Sequence, residues 1–366
     1  MSQGTAARTG AGQPLSRREW FALPTRHTRP EALASSGVEE AGHWIHIHRP
    51  AMACRVEITL PGEDGRHVEA AREALDEVDR LEAVLTVFRD TSEVAELNRT
   101  AASREVAVGP EVLALLQQCE ALHAATDGAF DPTSMPLSRC WGFLRREGRL
   151  PTAAEIEAAR AVVGMANVRV DGAARTVRFA RPGVGLSFNS IGKGYVVDRV
   201  ADLLRRRGVP RALVSAGGSS LRAIGDRREG FSVDVRSARA RGGPLARLRL
   251  REAALGTSGA GEQFFEADGR RFGHVIDPRT GWPAEGVLSV SVAADEAAVA
   301  DALATAFLVG GADLAARYCA AHPRTLALVT EEADPGRLRR FGEHEGVRLE
   351  PVGAAREREE STRCGA

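Results

Sequence analysis

Leu186-Ser-Phe-Asn-Ser-Ile-Gly-Lys-Gly-Tyr-Val-Val-Asp198 is the stretch on which the reading of this chain turns. Residues 184–188 read as an extended apolar run that meets a small polar corner at Asn189 and Ser190. A helical period follows: Val196, Val200 and Leu203 recur on one face, with Val197 and Leu204 beside them. Gly192 and Gly194 leave the backbone bare at the corner, and Lys193 sets a positive charge between them. A helix start carries unpaired N–H groups and the positive end of its dipole, so this combination suits a phosphate. A glycine-rich turn with a surface lysine has the same sequence, and short glycine motifs recur by chance.

Past this corner a strand runs into bare backbone, Ala212-Leu-Val-Ser-Ala-Gly-Gly-Ser-Ser-Leu-Arg222. Ser215, Gly217 and Gly218 offer short side chains and accessible amides, which close approach to a pyrophosphate requires; a plain strand-to-turn junction looks similar. Strand patterns then follow at 231–235, 246–250, 253–257, 264–266, 272–276 and 288–292, a spacing that predicts antiparallel pairing. His274 falls on the fifth and leads into Asp277-Pro-Arg-Thr-Gly281, a turn stiffened by Pro278. Asp295 is placed to cap an apolar helix that runs to about Gly310. Within it Asp301 and Thr305, four residues apart, present two oxygens on one face. Such groups are costly in an apolar helix unless paired. Hard oxygen donors suit Mg²⁺ or Ca²⁺. A threonine bonded to its own helix backbone and an aspartate capping a neighbour satisfy the same atoms.

Upstream, residues 1–42 lack periodicity and read as a flexible arm. His43-Trp-Ile-His-Ile-His48 alternates like a strand, with His46 and His48 on one exposed face, and a second strand covers 51–60. Leu75, Val78, Leu81, Leu85 and Phe88 recur at steps of three and four and predict a helix over 68–88. Thr91 or Ser92 caps a short helix ending near Asn98, and another helix covers 112–123. Thr126-Asp-Gly-Ala-Phe-Asp-Pro-Thr133 is a turn-rich loop in which Asp127 and Asp131 orient backbone amides or an incoming hydroxyl. Thr152 and Glu155 form a capping box, and Asp171-Gly172 divides a hairpin of 168–170 and 176–179. A last strand at 324–329 precedes a charged segment, 331–366, largely disordered at its end. The expected architecture is α+β over 43–330, a mixed or antiparallel sheet with flanking helices, open to division into two lobes around a cleft.

Forty-nine basic and forty-nine acidic residues cancel, which argues against nucleic acid as a partner. The five cysteines, Cys54, Cys119, Cys140, Cys319 and Cys364, are far apart, and no Cys-x-x-Cys spacing suggests zinc or a redox pair. No run of about 18 apolar residues predicts a membrane span. Ser16-Arg-Arg-Glu-Trp-Phe21 has a twin-arginine look, but the residues after it are not the apolar region of an export signal, so a cytoplasmic protein is expected.

Lys193-Gly-Tyr-Val-Val-Asp198 resembles the Lys-Gly-Tyr-x-x-Asp signature of the ApbE-type FAD:protein FMN transferases. Further stretches follow in that family's order: Thr126-Asp-Gly-Ala-Phe-Asp-Pro-Thr133, Ala216-Gly-Gly218, Thr257-Ser-Gly259, His274-Val-Ile-Asp-Pro-Arg-Thr-Gly281 and Asp301-Ala-Leu-Ala-Thr305. The resemblance implies an ApbE-like fold and Mg²⁺-dependent transfer of FMN from FAD to a Thr or Ser hydroxyl of an acceptor flavoprotein, with AMP released. It implies Asp301, Thr305 and a backbone carbonyl near Ser190 as metal ligands, and Lys193 and His274 as groups that offset developing charge. Met52, Phe88, Asp131, Ser215, Gly217, Gly218, Thr257 and Ser258 would surround the flavin nucleotide, Phe88 stacking on its ring. The chain departs from the family where acidic residues are usual: Ser187 precedes the corner, and Ser219 follows Gly217-Gly218. Ala53 and Cys54 also depart from a Met-Gly-Thr opening after Met52. Two carboxylates fewer near the flavin leave two other readings open, a non-catalytic FAD-binding protein and hydrolysis of FAD to FMN and AMP.

Overall fold

The alternating residues that begin at Trp44 build a hairpin, β1 (Trp44–Ala51) against β2 (Cys54–Pro61), in the computed structural model, which describes residues 43–225, 230–236 and 244–351. The expected arm at 1–42 and the end of the chain after 351 lie outside the described residues. Helix α1 (Val68–Leu85) buries Leu75, Val78, Leu81 and Leu85, as its three- and four-residue steps require. It stops at Leu85, where Thr86 turns extended, so Phe88 does not complete the stripe as expected; it stands beyond the helix and is 55% exposed. Helix α2 (Glu93–Thr100) is capped by Ser92, whose hydroxyl accepts from Ala95 N at 3.0 Å. After β3 (Val106–Ala107) come α3 (Pro110–Ala125), α4 (Met135–Cys140) and α5 (Ala153–Arg160), the last opened by the predicted Thr152–Glu155 capping box. The hairpin β4 (Val168–Asp171) and β5 (Thr176–Phe179) joins β3 in a small sheet.

The second half starts with α6 (Gly192–Arg206), β6 (Ala212–Ala216), β7 (Ser220–Ile224), β8 (Phe231–Val235) and β9 (Ala246–Leu250). It continues through β10 (Ala254–Gly259), β11 (Phe264–Ala267), β12 (Arg270–Gly273) and β13 (Val287–Ala294). Helix α7 (Ala297–Ala321) precedes β14 (Leu326–Glu331), β15 (Asp334–Gly342) and β16 (Val347–Pro351). The main sheet runs β1-β2-β6-β7-β10-β13-β14-β15 with antiparallel pairing throughout.

The middle strands of this sheet are covered on both faces. Helices α1, α6 and α7 pack on one, around Val56, Ile58, Val290, Leu303 and Phe307. The three-stranded sheet β16-β9-β8 covers the other, with Phe231, Val233, Leu248 and Leu250 against Leu213, Leu221, Leu255 and Leu328. All eight residues of β13 are therefore buried, which hides the alternation a one-sided strand would show. A separate apolar cluster of Leu137, Trp141, Phe143, Ile156, Phe272 and Ile276 ties α4 and α5 to the hairpin β11–β12.

Three expectations need correction at the C-terminal side. Asp295 does not cap α7: the helix begins after Glu296 without a side-chain cap of its own, and Asp295 instead bonds Arg324 and His344. The helix also continues past Gly310 to Ala321, through a break at Gly311 with φ of +73°. Residues beyond 330 are not merely a charged tail. Strand β15 forms one edge of the main sheet, and β16 pairs with β9. Helix α7 is long and apolar enough to cross a membrane, but 67% of its apolar window is buried inside the protein.

Candidate active site

The signature stretch is first of all a packing device. Gly194, in the first turn of α6, meets the start of α7: a Cβ there would lie 2.1 Å from Ala297 O. Four residues on, Asp198 accepts from Ala297 N and Ala298 N, both at 2.9 Å, and so supplies the cap that α7 lacks. Arg222 of β7 bonds the same carboxylate. On the other side of α7, Gly256 of β10 is equally obligatory, since a Cβ would lie 2.5 Å from Asp301 N. Two glycines and a borrowed cap thus press α7 against α6 and β10.

That contact brings Asp301 to the start of α6. Its carboxylate accepts from Gly194 N at 2.8 Å and from Ser220 Oγ at 2.6 Å. Burial pushes this carboxyl above its usual range, against the pull of Lys193, Ser220 and Gly194. Among the described residues no cationic side chain bonds Asp301 directly. The Lys193 ammonium donates to Ser219 Oγ instead, where the resembled family has a carboxylate. Ser219 O accepts from Thr257 N at 2.7 Å, which ties the Gly217-Gly218 turn to β10. Gly217 and Gly218 both take positive φ, and a Cβ on Gly217 would stand 3.1 Å from Cys54 Cβ.

Thr305 lies one turn beyond Asp301. Its hydroxyl is 3.2 Å from Ser258 Oγ and 3.3 Å from Asp301 O, so its helix carbonyl and a neighbouring strand share it. Ser190 sits in the turn just before α6. Met52 reaches the same corner from the β1–β2 hairpin, its Cε 3.8 Å from where a Gly192 Cβ would stand. Met52 and Ala53 hold φ of +52° and +56°. Two consecutive left-handed residues other than glycine are strained, and such strain concentrates at functional corners.

His274, just past β12, is half-buried, and its Nδ1 lies 3.1 Å from Gln263 O. A carbonyl only accepts, so Nδ1 carries the proton and Nε2 keeps its lone pair. Burial lowers the pKa of the ring, the Gln263 bond opposes this, and Lys193 lowers it further. Glu262, next to Gln263, was not singled out in the sequence, and nothing in its spacing marked it. It keeps solvent contact, yet burial by surrounding protein raises its carboxyl while Lys193 opposes the shift. Burial also raises the Cys54 thiol, which makes it a packing residue rather than a nucleophile.

Lys193, Gly217, Gly218, Ser258, Asp301, Thr305 and His274 therefore converge on one corner, with Met52 and Ser190 at its rim. Thr257 contributes through its backbone, because its hydroxyl faces Ser291 Oγ at 3.0 Å. Ser215 is half-buried within β6, paired with Glu57 and Leu221. Asp131 lies elsewhere: it accepts from Thr133 N at 2.8 Å and from Thr133 Oγ at 2.5 Å, with His123 Nδ1 at 3.3 Å. Phe88 lines a separate cavity of about 410 Å³.

Among the described residues no group of three or more His, Cys, Asp or Glu could hold a metal ion. One carboxylate with hydroxyls and carbonyls beside it fits Mg²⁺ nonetheless, because that ion takes one or two carboxylates and completes its shell with water and substrate phosphates.

The sequence profile of the ApbE family matches residues 52–329. The FAD:protein FMN transferase of Vibrio cholerae is 32% identical over 300 residues, covering 76% of this chain and 86% of that protein. The enzyme of the same name from Treponema pallidum is 33% identical over 274 residues, covering 70% and 76%. Among solved structures, the ApbE protein of Thermotoga maritima superposes with a TM-score of 0.75 at 29% identity, over 82% of this chain and 97% of that one. The flavin transferase ApbE from Vibrio cholerae gives 0.70 at 26% identity, over 86% and 99%.

Proposed function

The chain belongs to the ApbE family, and from that premise we propose that it transfers FMN from FAD to a Thr or Ser hydroxyl of an acceptor protein, with Mg²⁺ required and AMP released. One observation carries the reading to this chain's own residues. Among the described residues Asp301 is a buried carboxylate without an ion-pair partner, fixed at a helix start beside Lys193. A buried charge left in that state is costly, and it suits a site that a cation and a phosphate enter together.

The reaction is in-line substitution at phosphorus. A bond forms from the acceptor oxygen to the FMN phosphorus, the bond from that phosphorus to the AMP oxygen breaks, and AMP leaves with the electron pair. The Lys193 ammonium would hold the pyrophosphate at the α6 start, where Gly192 N and Gly194 N are already taken by Phe188 O and Asp301. Asp301, Thr305 and the carbonyl near Ser190 would hold Mg²⁺, which supplies charge stabilisation for the leaving phosphate. The tautomer of His274 gives it a different part from offsetting charge. Neutral near pH 7, with Nε2 unbonded among the described residues, it takes the proton of the attacking hydroxyl.

The test is to incubate the protein with FAD, Mg²⁺ and a flavin-acceptor domain. Mass spectrometry of the acceptor should show the added FMN group, with AMP in equal amount. Conversion of FAD to FMN and AMP over an unmodified acceptor would identify a hydrolase. Intact FAD on a yellow protein would identify a flavin carrier.

A further inference from the structure

The cavity beside Phe88 has a chemistry that the phosphate corner does not use. Val87, Ala95, Met135 and Leu144 give it apolar walls, and Phe88 turns an exposed aromatic ring toward it. Its volume of about 410 Å³ lies in the range of small-molecule sites. Its polar lining can be sorted by what is already engaged. The Asn98 amide pairs with Leu186 on both sides, donating to Leu186 O at 2.8 Å and accepting from Leu186 N at 2.7 Å. Arg99 is held by Glu96, and Asp90 adds one exposed carboxylate to the lining. Arg139 and Arg145 also line the cavity, both exposed, and neither side chain bonds another group among the described residues. Two planar, weakly hydrated donor groups over an apolar, aromatic-walled cavity call for a flat ligand with acceptor oxygens along one edge.

The cavity is also tethered to the phosphate corner. Asn98 grips Leu186, and six residues later the chain reaches Gly192 at the start of α6. Six residues span at most on the order of 20 Å, so one dinucleotide reaches both places. A flavin ring carries two carbonyls on one edge and two methyl groups on the opposite edge. Only the first edge has acceptors for a guanidinium fork.

We propose that Arg139 and Arg145 are specificity residues that grip the carbonyl edge of the flavin ring in the Phe88 cavity. The proposal rests on the FAD reading above and adds the residues that select the ring. Its probe is riboflavin, which has the ring and no phosphate, titrated by fluorescence against the wild type, Arg139→Ala, Arg145→Ala and the double variant. ADP binding is measured in parallel by calorimetry. Loss of charge-assisted hydrogen bonds should raise the riboflavin Kd at least about tenfold in the double variant, with the ADP Kd unchanged. Riboflavin methylated at N3, between the two carbonyls, should bind the wild type as poorly as riboflavin binds the double variant. Unchanged riboflavin binding in the double variant overturns the proposal. So does an equal loss of ADP, which would assign the arginines to the phosphates, and so does a wild type that binds FAD but not riboflavin. A wild type that binds neither FAD nor riboflavin overturns the flavin-transfer reading as well, which separates the two failures.

Discussion

Asp198 and Asp301 face each other across the α6–α7 junction, and each caps the other's helix. Asp198, on α6, accepts from Ala297 and Ala298 of α7; Asp301, on α7, accepts from Gly194 of α6. Burial raises both carboxyls. What separates them is the cation. Arg222 bonds Asp198 directly, whereas Lys193 bonds Ser219 and reaches Asp301 only through its field. The same device thus has its charge matched at Asp198 and left over at Asp301, the difference on which the role proposed for Asp301 rests.

The largest expected difference lies in the two amide substitutions. Asp301→Asn should lower Mg²⁺-dependent AMP release from FAD at least about a hundredfold. Its stability should stay within about 1 kcal/mol of wild type, because the amide oxygen still accepts from Gly194 and the amide nitrogen donates to Ser220 Oγ. Full activity in a folded Asp301→Asn protein would erase the distinction between the two acids. Asp198→Asn should do the reverse, costing about 3–5 kcal/mol in urea unfolding because it strands the Arg222 charge, while the remaining folded protein keeps its specific activity. Equal losses of stability in both variants would make Asp301 a structural cap like its neighbour.

A smaller effect is expected at Lys193. Lys193→Ala should weaken FAD binding at least about tenfold by flavin fluorescence titration and leave the melting temperature nearly unchanged, since no ion pair is broken. An unchanged Kd would return this lysine to the surface.

The smallest signal is in pH. It comes from His274, whose ring lies within the field of Lys193. Its pKa is lowered from 6.5, chiefly by burial, so it is neutral at pH 7, and kcat/KM should show an acid limb with its midpoint below 6.5. The sign for stability is the same. The folded state binds fewer protons than the unfolded state below the ordinary value, so stability also declines as pH falls through 6.5. Rates must therefore be normalised to the folded fraction. A limb that persists in His274→Ala would assign it to another group.

Much of this is legible in the sequence, and the illegible parts share a cause. Periodicity gave α1, α6 and the β4–β5 hairpin, because each shows one face to the core and the other to water. Strand β15 was hidden by Arg337, Arg339 and Arg340, charges that suit a sheet edge and imitate a tail. At this corner, the shared helical face of Asp301 and Thr305 was readable from local spacing. The capping of α7 by Asp198 was not, because the bond joins residues about a hundred positions apart and Asp295 is the obvious local candidate. Glu262 and the Gln263 carbonyl behind His274 likewise become visible only when the chain folds back. The Lys-Gly-Tyr-x-x-Asp signature had been read for its lysine; its Gly194 and Asp198 turn out to dock one helix on another.

Helix α7 raises a matter of timing during synthesis. On leaving the ribosome, a segment so apolar and so long offers the cell the same features as a membrane anchor. Its three largest packing partners, β10, β13 and α6, precede it in the chain, while β14 and β15, which also pack on it, follow. Most of the surface that hides the helix is therefore already translated when the helix emerges, and docking can compete at once with chaperones and insertion machinery. Gene order thus shields the most hazardous segment of the protein. A rearranged gene that began at Ala297 would encode every contact described above and still lose that protection.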